Sequence, residues 1–128
     1  MLKRKVYQEL LKWKENTEGK ALCIIGARQI GKTTLIREFG KNEYEHFAEI
    51  NFVTDEKAAD IFSDKLTAEA IITNLTAYLQ TPLEPGKTLI LFDEVQECPA
   101  VRSAIKFLVE DGRFDYIESG SLLGVRYK

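Results

Sequence analysis

The spacing of apolar residues changes several times along the chain, and each change marks a predicted element. Residues 2–13 carry apolar side chains at near-helical spacing, which predicts an amphipathic helix that packs on a sheet. The continuous apolar run 21–25 predicts a first strand buried on both faces, with Cys23 as a small core residue. From Lys32 the apolar positions return to helical spacing, and Gly40 marks the predicted end of that helix.

The rest of the chain repeats the alternation of strand and helix. Residues 46–53 predict a second strand, 54–60 a charged connection, and 66–79 a helix that ends before a break rich in proline and glycine. A third strand, a further helix and a fourth strand are predicted at 88–92, 99–112 and 114–118. Strands that alternate with helices of this length pair in parallel through right-handed crossovers. The sequence therefore predicts a three-layer α/β/α fold around a mostly parallel sheet.

Length and composition fit a single globular domain. The chain has 128 residues, of which 45% are hydrophobic and 30% are charged. It divides into an N-terminal amphipathic helix, 1–20, and a core, 21–128. An α/β domain of this class usually needs about 150 residues or more. We therefore expect the core to be incomplete at its C-terminus and truncated after the fourth strand.

Charge and cysteine content exclude several classes of partner. A formal net charge of -2 gives no general reason to expect binding to nucleic acid or to an anionic membrane. No apolar stretch approaches the roughly 20 residues that span a bilayer. Cys23 and Cys98 lie too far apart for a metal-ligand or redox pair, so we expect a cytoplasmic protein with reduced thiols. His46, the single histidine, is expected at a surface or boundary position rather than in catalysis.

The glycine-rich segment between the first strand and the next helix carries the most specific motif. The pattern G-x-x-x-x-G-K-[ST] is complete, and it predicts a phosphate-binding loop of the P-loop NTPase class. Its backbone N–H groups and the following helix would face the phosphates, while Lys32 would reach the terminal phosphates and Thr33 would bind Mg²⁺. A glycine-rich turn with a solvated lysine is the alternative. The predicted nucleotide contacts in this loop are Gly26, Ala27, Arg28, Gln29, Ile30, Gly31, Lys32, Thr33 and Thr34.

Two carboxylates end the third predicted strand. The apolar run 89–92 leads directly into Asp93 and Glu94, which places both acids at the carboxyl end of the sheet, where ligands bind in such folds. Asp93 would hold a water on Mg²⁺, and Glu94 would orient or deprotonate the water that attacks the γ-phosphate. A solvated turn is the alternative. Glu94 and Lys32 are the two predicted catalytic residues.

A small polar cluster, Ser119-Gly120-Ser121, follows the fourth predicted strand. If that strand lies between the strands of the other two motifs, a serine there could contact the γ-phosphate or the attacking water. Ser119 and Ser121 are equally suitable on the sequence, and an ordinary serine-glycine turn is the alternative.

These motifs together resemble the AAA-type ATPases of bacteria and archaea in which a P-loop domain precedes a nuclease-like domain of unknown function. The similarity rests on the loop 26–34, the run 91–96 and the cluster 119–121. Assignment to that subgroup depends on Arg28, Gln29 and Gln96 within them. The resemblance implies ATP rather than GTP, and the chain has no Asn-Lys-x-Asp run for reading guanine.

The resemblance also implies how the reaction would be organised. It implies ATP and Mg²⁺ as ligands, the serine cluster as a polar sensor, and a helical lid and C-terminal domain beyond this chain. The function expected first is ATP hydrolysis coupled to an attached domain, a protein partner or another copy of the chain. A nucleotide-binding switch without turnover is the main alternative, and a small-molecule kinase is a further one.

Overall fold

A computed structural model describes residues 2–16, 20–26, 32–63, 65–81 and 83–121 of the chain. The helices are α1 (Leu2–Glu15), α2 (Lys32–Glu43), α3 (Ala68–Leu79) and α4 (Pro99–Asp111). The strands are β1 (Leu22–Gly26), β2 (His46–Asn51), β3 (Thr88–Asp93) and β4 (Asp115–Ser121). Two 3₁₀ helices, Glu56–Phe62 and Val95–Glu97, complete the described elements. None of the helices in these ranges is both long and apolar enough to cross a membrane.

The sheet has the predicted parallel architecture. Its four strands lie in the order β1-β4-β3-β2, and every neighbouring pair is parallel. The strand β4 therefore lies between β1, which leads into the glycine-rich motif, and β3, which ends in the acidic pair. The prediction of an α/β fold with a parallel sheet is confirmed.

Two apolar cores, one on each face of the sheet, make the three layers. Side chains alternate between faces along β3, so Leu89 and Leu91 enter one core while Ile90 and Phe92 enter the other. Helices α1 and α2 cover the first face through Leu10, Leu35, Ile36 and Phe39. Helices α3 and α4 and the first 3₁₀ helix cover the second face through Ala58, Ile61, Phe62, Ile71, Ile72, Leu75, Val101, Ala104 and Leu108. The strand β3 is buried along its whole length because it contributes to both cores.

The prediction for β1 was wrong in its burial. Leu22 and Ile24 are half-buried, and Cys23 is exposed rather than a core residue. The reason is topological, because β1 is an edge strand of the described sheet and pairs only with β4. An apolar run predicts a strand but does not determine which strand lies in the middle of the sheet.

The charged connection after β2 contains an element that the sequence did not reveal. A 3₁₀ helix, Glu56–Phe62, begins at Asp55, whose side chain accepts a hydrogen bond from the backbone N–H of Lys57. Ala58, Ile61 and Phe62 in this helix are buried, and the ring of Phe62 lies 5.6 Å from that of Phe92. Charged residues separate these apolar positions, so the short apolar pattern did not predict a helix.

Gly40 does not end the second helix, as the sequence suggested. Helix α2 continues to Glu43, and Gly40 lies inside it on the buried side. A Cβ atom at Gly40 would lie 2.2 Å from Cδ1 of the Phe47 ring on β2. The glycine is therefore required for the close approach of α2 to the sheet.

We predict that Gly40→Ala destabilises the protein by about 1–3 kcal/mol, because the added methyl group overpacks the contact with Phe47. The loss should occur although alanine favours a helix by about 1 kcal/mol over glycine. Urea unfolding measures it, and Phe47→Leu in the same chain should recover part of the loss. Equal or greater stability of Gly40→Ala would show that the contact is not tight.

A carboxylate is buried on the second face of the sheet. Glu118 on β4 is 5% exposed, and its Oε1 has no hydrogen-bond donor among the residues described. Arg102 on α4 places its Nε 3.9 Å from that oxygen. Burial raises the pKa of Glu118 above its usual range, and the charge of Arg102 offsets only part of this effect.

We predict that Glu118→Gln gains stability relative to the wild type as the pH rises. Because the pKa of Glu118 is higher in the folded chain than in the unfolded chain, protonation of Glu118 favours the folded state. This contribution to stability is fully present below the pKa of the group in the unfolded chain, which is about 4.3. That contribution is lost as the pH rises through the folded pKa. Urea unfolding at about pH 4 and pH 8 tests this, with the exposed Glu110→Gln as control. A stability difference that does not change with pH would contradict the explanation.

Candidate functional site

The parallel register brings polar side chains together at the carboxyl edge of the sheet. Asp93, the last residue of β3, pairs with Ser119 on β4 and with Asn51, the last residue of β2. Helix α2 begins beside them with Lys32 and Thr33. The strand ends and the start of α2 therefore meet in one polar cluster.

The carboxylate of Asp93 is the centre of this cluster. Its Oδ1 accepts hydrogen bonds from Ser119 Oγ at 2.6 Å and from the backbone N–H of Glu94 at 2.9 Å. Its Oδ2 lies 3.5 Å from Thr33 Oγ1 and 3.4 Å from Asn51 Nδ2. Asp93 is 4% exposed and Ser119 is fully buried. A buried carboxylate is tolerated only with such partners.

Lys32 lies at the first position of α2. Its ammonium group donates to the carbonyl oxygen of Gly120 on β4 at 2.6 Å. Within the described part of the chain, no carboxylate lies within ion-pair distance of this ammonium. The positive charge is therefore next to the Asp93 cluster and bonded to a neutral carbonyl group.

Glu94 follows Asp93 in an uncommon backbone conformation. Its φ of 58° and ψ of 47° are left-handed, which is unusual for a residue with a Cβ atom. The second 3₁₀ helix follows directly, and Gln96 Nε2 in that helix donates to Glu94 Oε1 at 2.7 Å. Left-handed residues other than glycine concentrate at functional sites, where surrounding contacts hold them.

The structure brings some of the sequence-predicted site residues together. Lys32, Thr33, Asp93 and Ser119 lie in or beside the cluster. The hydroxyl of Ser119 contacts Asp93, while the side chain of Ser121 lies outside the part of the chain that the structure describes. Thr34 is exposed on the first turn of α2. Gly26 ends β1, Ser121 ends β4, and the predicted loop residues Ala27, Arg28, Gln29, Ile30 and Gly31 lie outside the described residues.

Asn51 is a member of the cluster that the sequence did not predict. Its Oδ1 accepts from the backbone N–H groups of Val53 and Thr54 at 2.8 and 3.0 Å, and its Nδ2 faces Asp93. The predicted second strand continued to Val53, so the sequence did not indicate that the strand ends at Asn51. A strand ending at Asn51 would have placed this amide at the same edge as Asp93.

His46 lies at the other edge of the sheet, as the first residue of β2. It is half-buried, which agrees with the expected boundary position. Its Nε2 lies 2.6 Å from Glu84 Oε1, and this contact lowers the pKa of the Glu84 carboxyl. Two backbone bonds, from the N–H groups of Glu45 and His46 to the carbonyl oxygen of Lys87, hold this corner. His46 therefore has a structural partner away from the Asp93 cluster.

Comparison with known proteins agrees with this fold. Residues 18–128 match the family described as AAA domain, and the chain belongs to that family. Among solved structures, it is similar to the structure of C. elegans PCH-2, with 15% sequence identity and a TM-score of 0.59. The match covers 99% of this chain and 39% of that chain, so the present chain spans about two fifths of its length. No curated protein sequence matches the chain.

These comparisons define the class and leave finer expectations open. The fold is that of the P-loop NTPases, and membership of the AAA domain family supports nucleotide binding of the ATPase type. At 15% identity the similarity to PCH-2 shows the fold alone. The subgroup with a nuclease-like domain, the division into 1–20 and 21–128, and the cytoplasmic location all stay predictions.

We predict that Ser119→Ala destabilises the folded protein by about 1.5–3 kcal/mol, because it removes a hydrogen bond to a buried charged group. Alanine fits the space, so the loss should reflect the hydroxyl rather than packing. Urea unfolding measures the effect. The exposed Ser103→Ala on α4 is the matched control and should change stability by less than about 0.5 kcal/mol. Equal effects of the two substitutions would mean that Ser119 does not stabilise Asp93.

Proposed function

We propose that this chain binds ATP with Mg²⁺ at the carboxyl edge of its sheet and hydrolyses the γ-phosphate. The observation that carries this proposal is the position of Asp93, whose carboxylate faces Thr33 at the start of α2 and is fixed by Ser119. Lys32 lies beside it with its ammonium on the Gly120 carbonyl. Membership of the AAA domain family supports the same class of ligand.

The side chains around Asp93 fit a magnesium ion. Mg²⁺ prefers oxygen ligands, keeps several of its waters and is commonly held through one or two carboxylates together with phosphates. Asp93 Oδ2 and Thr33 Oγ1 are 3.5 Å apart, so both oxygens can face one small cation or its water shell. Ser119 and the Glu94 N–H hold the other carboxylate oxygen and fix the direction of Oδ2. Thr33 and Asp93 are therefore the proposed metal-site residues.

The start of α2 fits the phosphates. The first N–H groups of a helix have no partner within the helix, and the helix dipole favours an anion at this end. Lys32 can exchange a neutral carbonyl for a charged phosphate oxygen, which is the stronger type of hydrogen bond. The proposed nucleotide contacts are Gly26, Ala27, Arg28, Gln29, Ile30, Gly31, Lys32, Thr33 and Thr34.

Hydrolysis requires a base for the attacking water, and Glu94 is the proposed one. Bound ATP would supply an electrophilic γ-phosphorus, and Mg²⁺ would partly neutralise the negative charge on the phosphate oxygens. Glu94 orients the water and accepts its proton as the water oxygen bonds to the γ-phosphorus and the bond from that phosphorus to the bridging oxygen breaks, which releases ADP and phosphate. Lys32 stabilises negative charge that develops on the phosphate oxygens. Ser119 keeps Asp93 in position throughout. We further propose that turnover acts on an attached domain, a protein partner or a second copy of the chain.

We predict that Lys32→Ala weakens binding of Mg-ATP by at least about tenfold, because it removes a charged hydrogen bond worth about 1.5–3 kcal/mol. Titration with a fluorescent ATP analogue measures the dissociation constant. Lys41→Ala, an exposed lysine on the same helix, is the matched control and should bind normally. Unchanged affinity in a folded Lys32→Ala protein would exclude a phosphate site at this position.

We predict that Glu94→Gln binds Mg-ATP with the wild-type affinity but releases phosphate at least about 10² times more slowly, since general-base catalysis contributes about 10²–10⁴ in rate. A phosphate-release assay alongside the binding titration separates the two effects. Glu97→Gln, an exposed acid in the same turn, is the control and should match the wild type. ATP binding with no turnover in the wild type would instead assign the chain as a nucleotide-dependent switch.

A further inference from the structure

The side chain of Glu94 is held by a neighbour in the same short turn. Gln96 Nε2 donates to Glu94 Oε1 at 2.7 Å. Backbone hydrogen bonds from Glu97 to Glu94 and from Cys98 to Val95 close the 3₁₀ helix that contains Gln96 and directly follows Glu94. Val95, between them, is fully buried in the second core. The turn is therefore anchored, and its side chains have a defined relative position.

The hydrogen bond fixes the orientation of the Gln96 amide. Its Oε1 is buried and has no hydrogen-bond donor among the described residues. Without the contact to Glu94, the amide would be expected to rotate so that its oxygen faces a donor, because a buried acceptor without a hydrogen bond is unfavourable. The reversed amide would place its oxygen against the Glu94 carboxylate, where two acceptors meet. The contact with Glu94 therefore determines the direction of the Gln96 side chain.

The chemistry of an amide suits this position. A lysine or arginine beside Glu94 would also orient the carboxylate. Its positive charge would stabilise the ionised carboxylate, however, and make it a weaker base. An amide donates a hydrogen bond while remaining neutral. Because the Gln96 donor occupies Oε1, the second oxygen of Glu94 can accept a hydrogen bond from a water molecule.

We propose that Gln96 is a positioning residue that holds Glu94 in the orientation needed to accept the proton of the attacking water. This role rests on the proposed hydrolytic function, and it acts through Glu94 rather than through the nucleotide. Removing the donor should therefore lower kcat without changing the affinity for Mg-ATP. A misplacement of about 1 Å can cost about 10² in rate, which sets the upper end of the expected effect.

The first experiment replaces the amide by a side chain of similar length without a donor. Gln96→Met should lower kcat about tenfold to a hundredfold, while the dissociation constant of Mg-ATP should stay within about twofold of the wild type. Gln8→Met, an exposed glutamine on α1, is the matched control and should leave both quantities unchanged. Loss of affinity together with kcat would show that Gln96 supports the structure of the whole site and would overturn the specific role.

The second experiment tests whether Gln96 acts through Glu94. In a chain that already carries Glu94→Gln, Gln96→Met should cause no further loss of kcat, because there is no base left to position. A kcat of the double variant that is lowered by the product of the two single-variant losses would overturn the proposal. In the nucleotide-free protein, the NMR signals of the Gln96 side-chain amide should move on Glu94→Ala, whereas those of Gln8 should not; unmoved Gln96 signals would contradict the contact itself.

The outcomes for the two proposals are distinguishable. If the wild type releases phosphate no faster than Glu94→Gln, hydrolysis by this site is wrong and the role of Gln96 is wrong with it. If the wild type exceeds Glu94→Gln but Gln96→Met equals the wild type, hydrolysis stands and only the role of Gln96 is overturned.

Discussion

The buried carboxylate of Asp93 is the constraint on which the candidate site depends. Moving a carboxylate out of water is strongly unfavourable unless donors replace the lost hydration. The fold provides such groups on β4, on the turn after β3, on α2 and at the end of β2, through Ser119, the Glu94 N–H, Thr33 and Asn51. Each of these groups has to lie at the same edge of the sheet. The site therefore requires both these side chains and the parallel strand register that brings them to one edge.

The strand β4 connects the two halves of the site. Ser119 on this strand bonds to Asp93, the proposed metal-site residue, and the next residue, Gly120, offers its carbonyl to Lys32, the proposed phosphate contact. A phosphate that attracts Lys32 therefore has to compete with a bond to the strand that also positions Asp93. The central position of β4 between β1 and β3 makes this coupling possible. In the proposed function, phosphate binding by Lys32 and the placement of Asp93 beside the metal are therefore linked through one short segment of β4.

Much of this arrangement could be predicted from the sequence because its signals are local. The motif that contains Lys32 and Thr33 and the apolar strand before Asp93 both depend on residues that are close in sequence, and they fix the order of elements. The exposure of Cys23 and the contact of Gly40 with Phe47 depend on which elements become neighbours in space. Asn51 was missed for the same reason, since only its pairing with Asp93 gives the asparagine a role. Features that depend on packing between elements distant in sequence therefore could not be predicted from the sequence.

The most direct test of the account is a crystal structure of the chain with Mg²⁺ and a non-hydrolysable ATP analogue. The account predicts that the Lys32 ammonium leaves the Gly120 carbonyl for a phosphate oxygen. It also predicts that the metal lies beside Thr33, with Asp93 in contact with the metal or its water. A nucleotide bound elsewhere, or a bound nucleotide with Lys32 still on Gly120 and no metal near Asp93, would contradict the central claim.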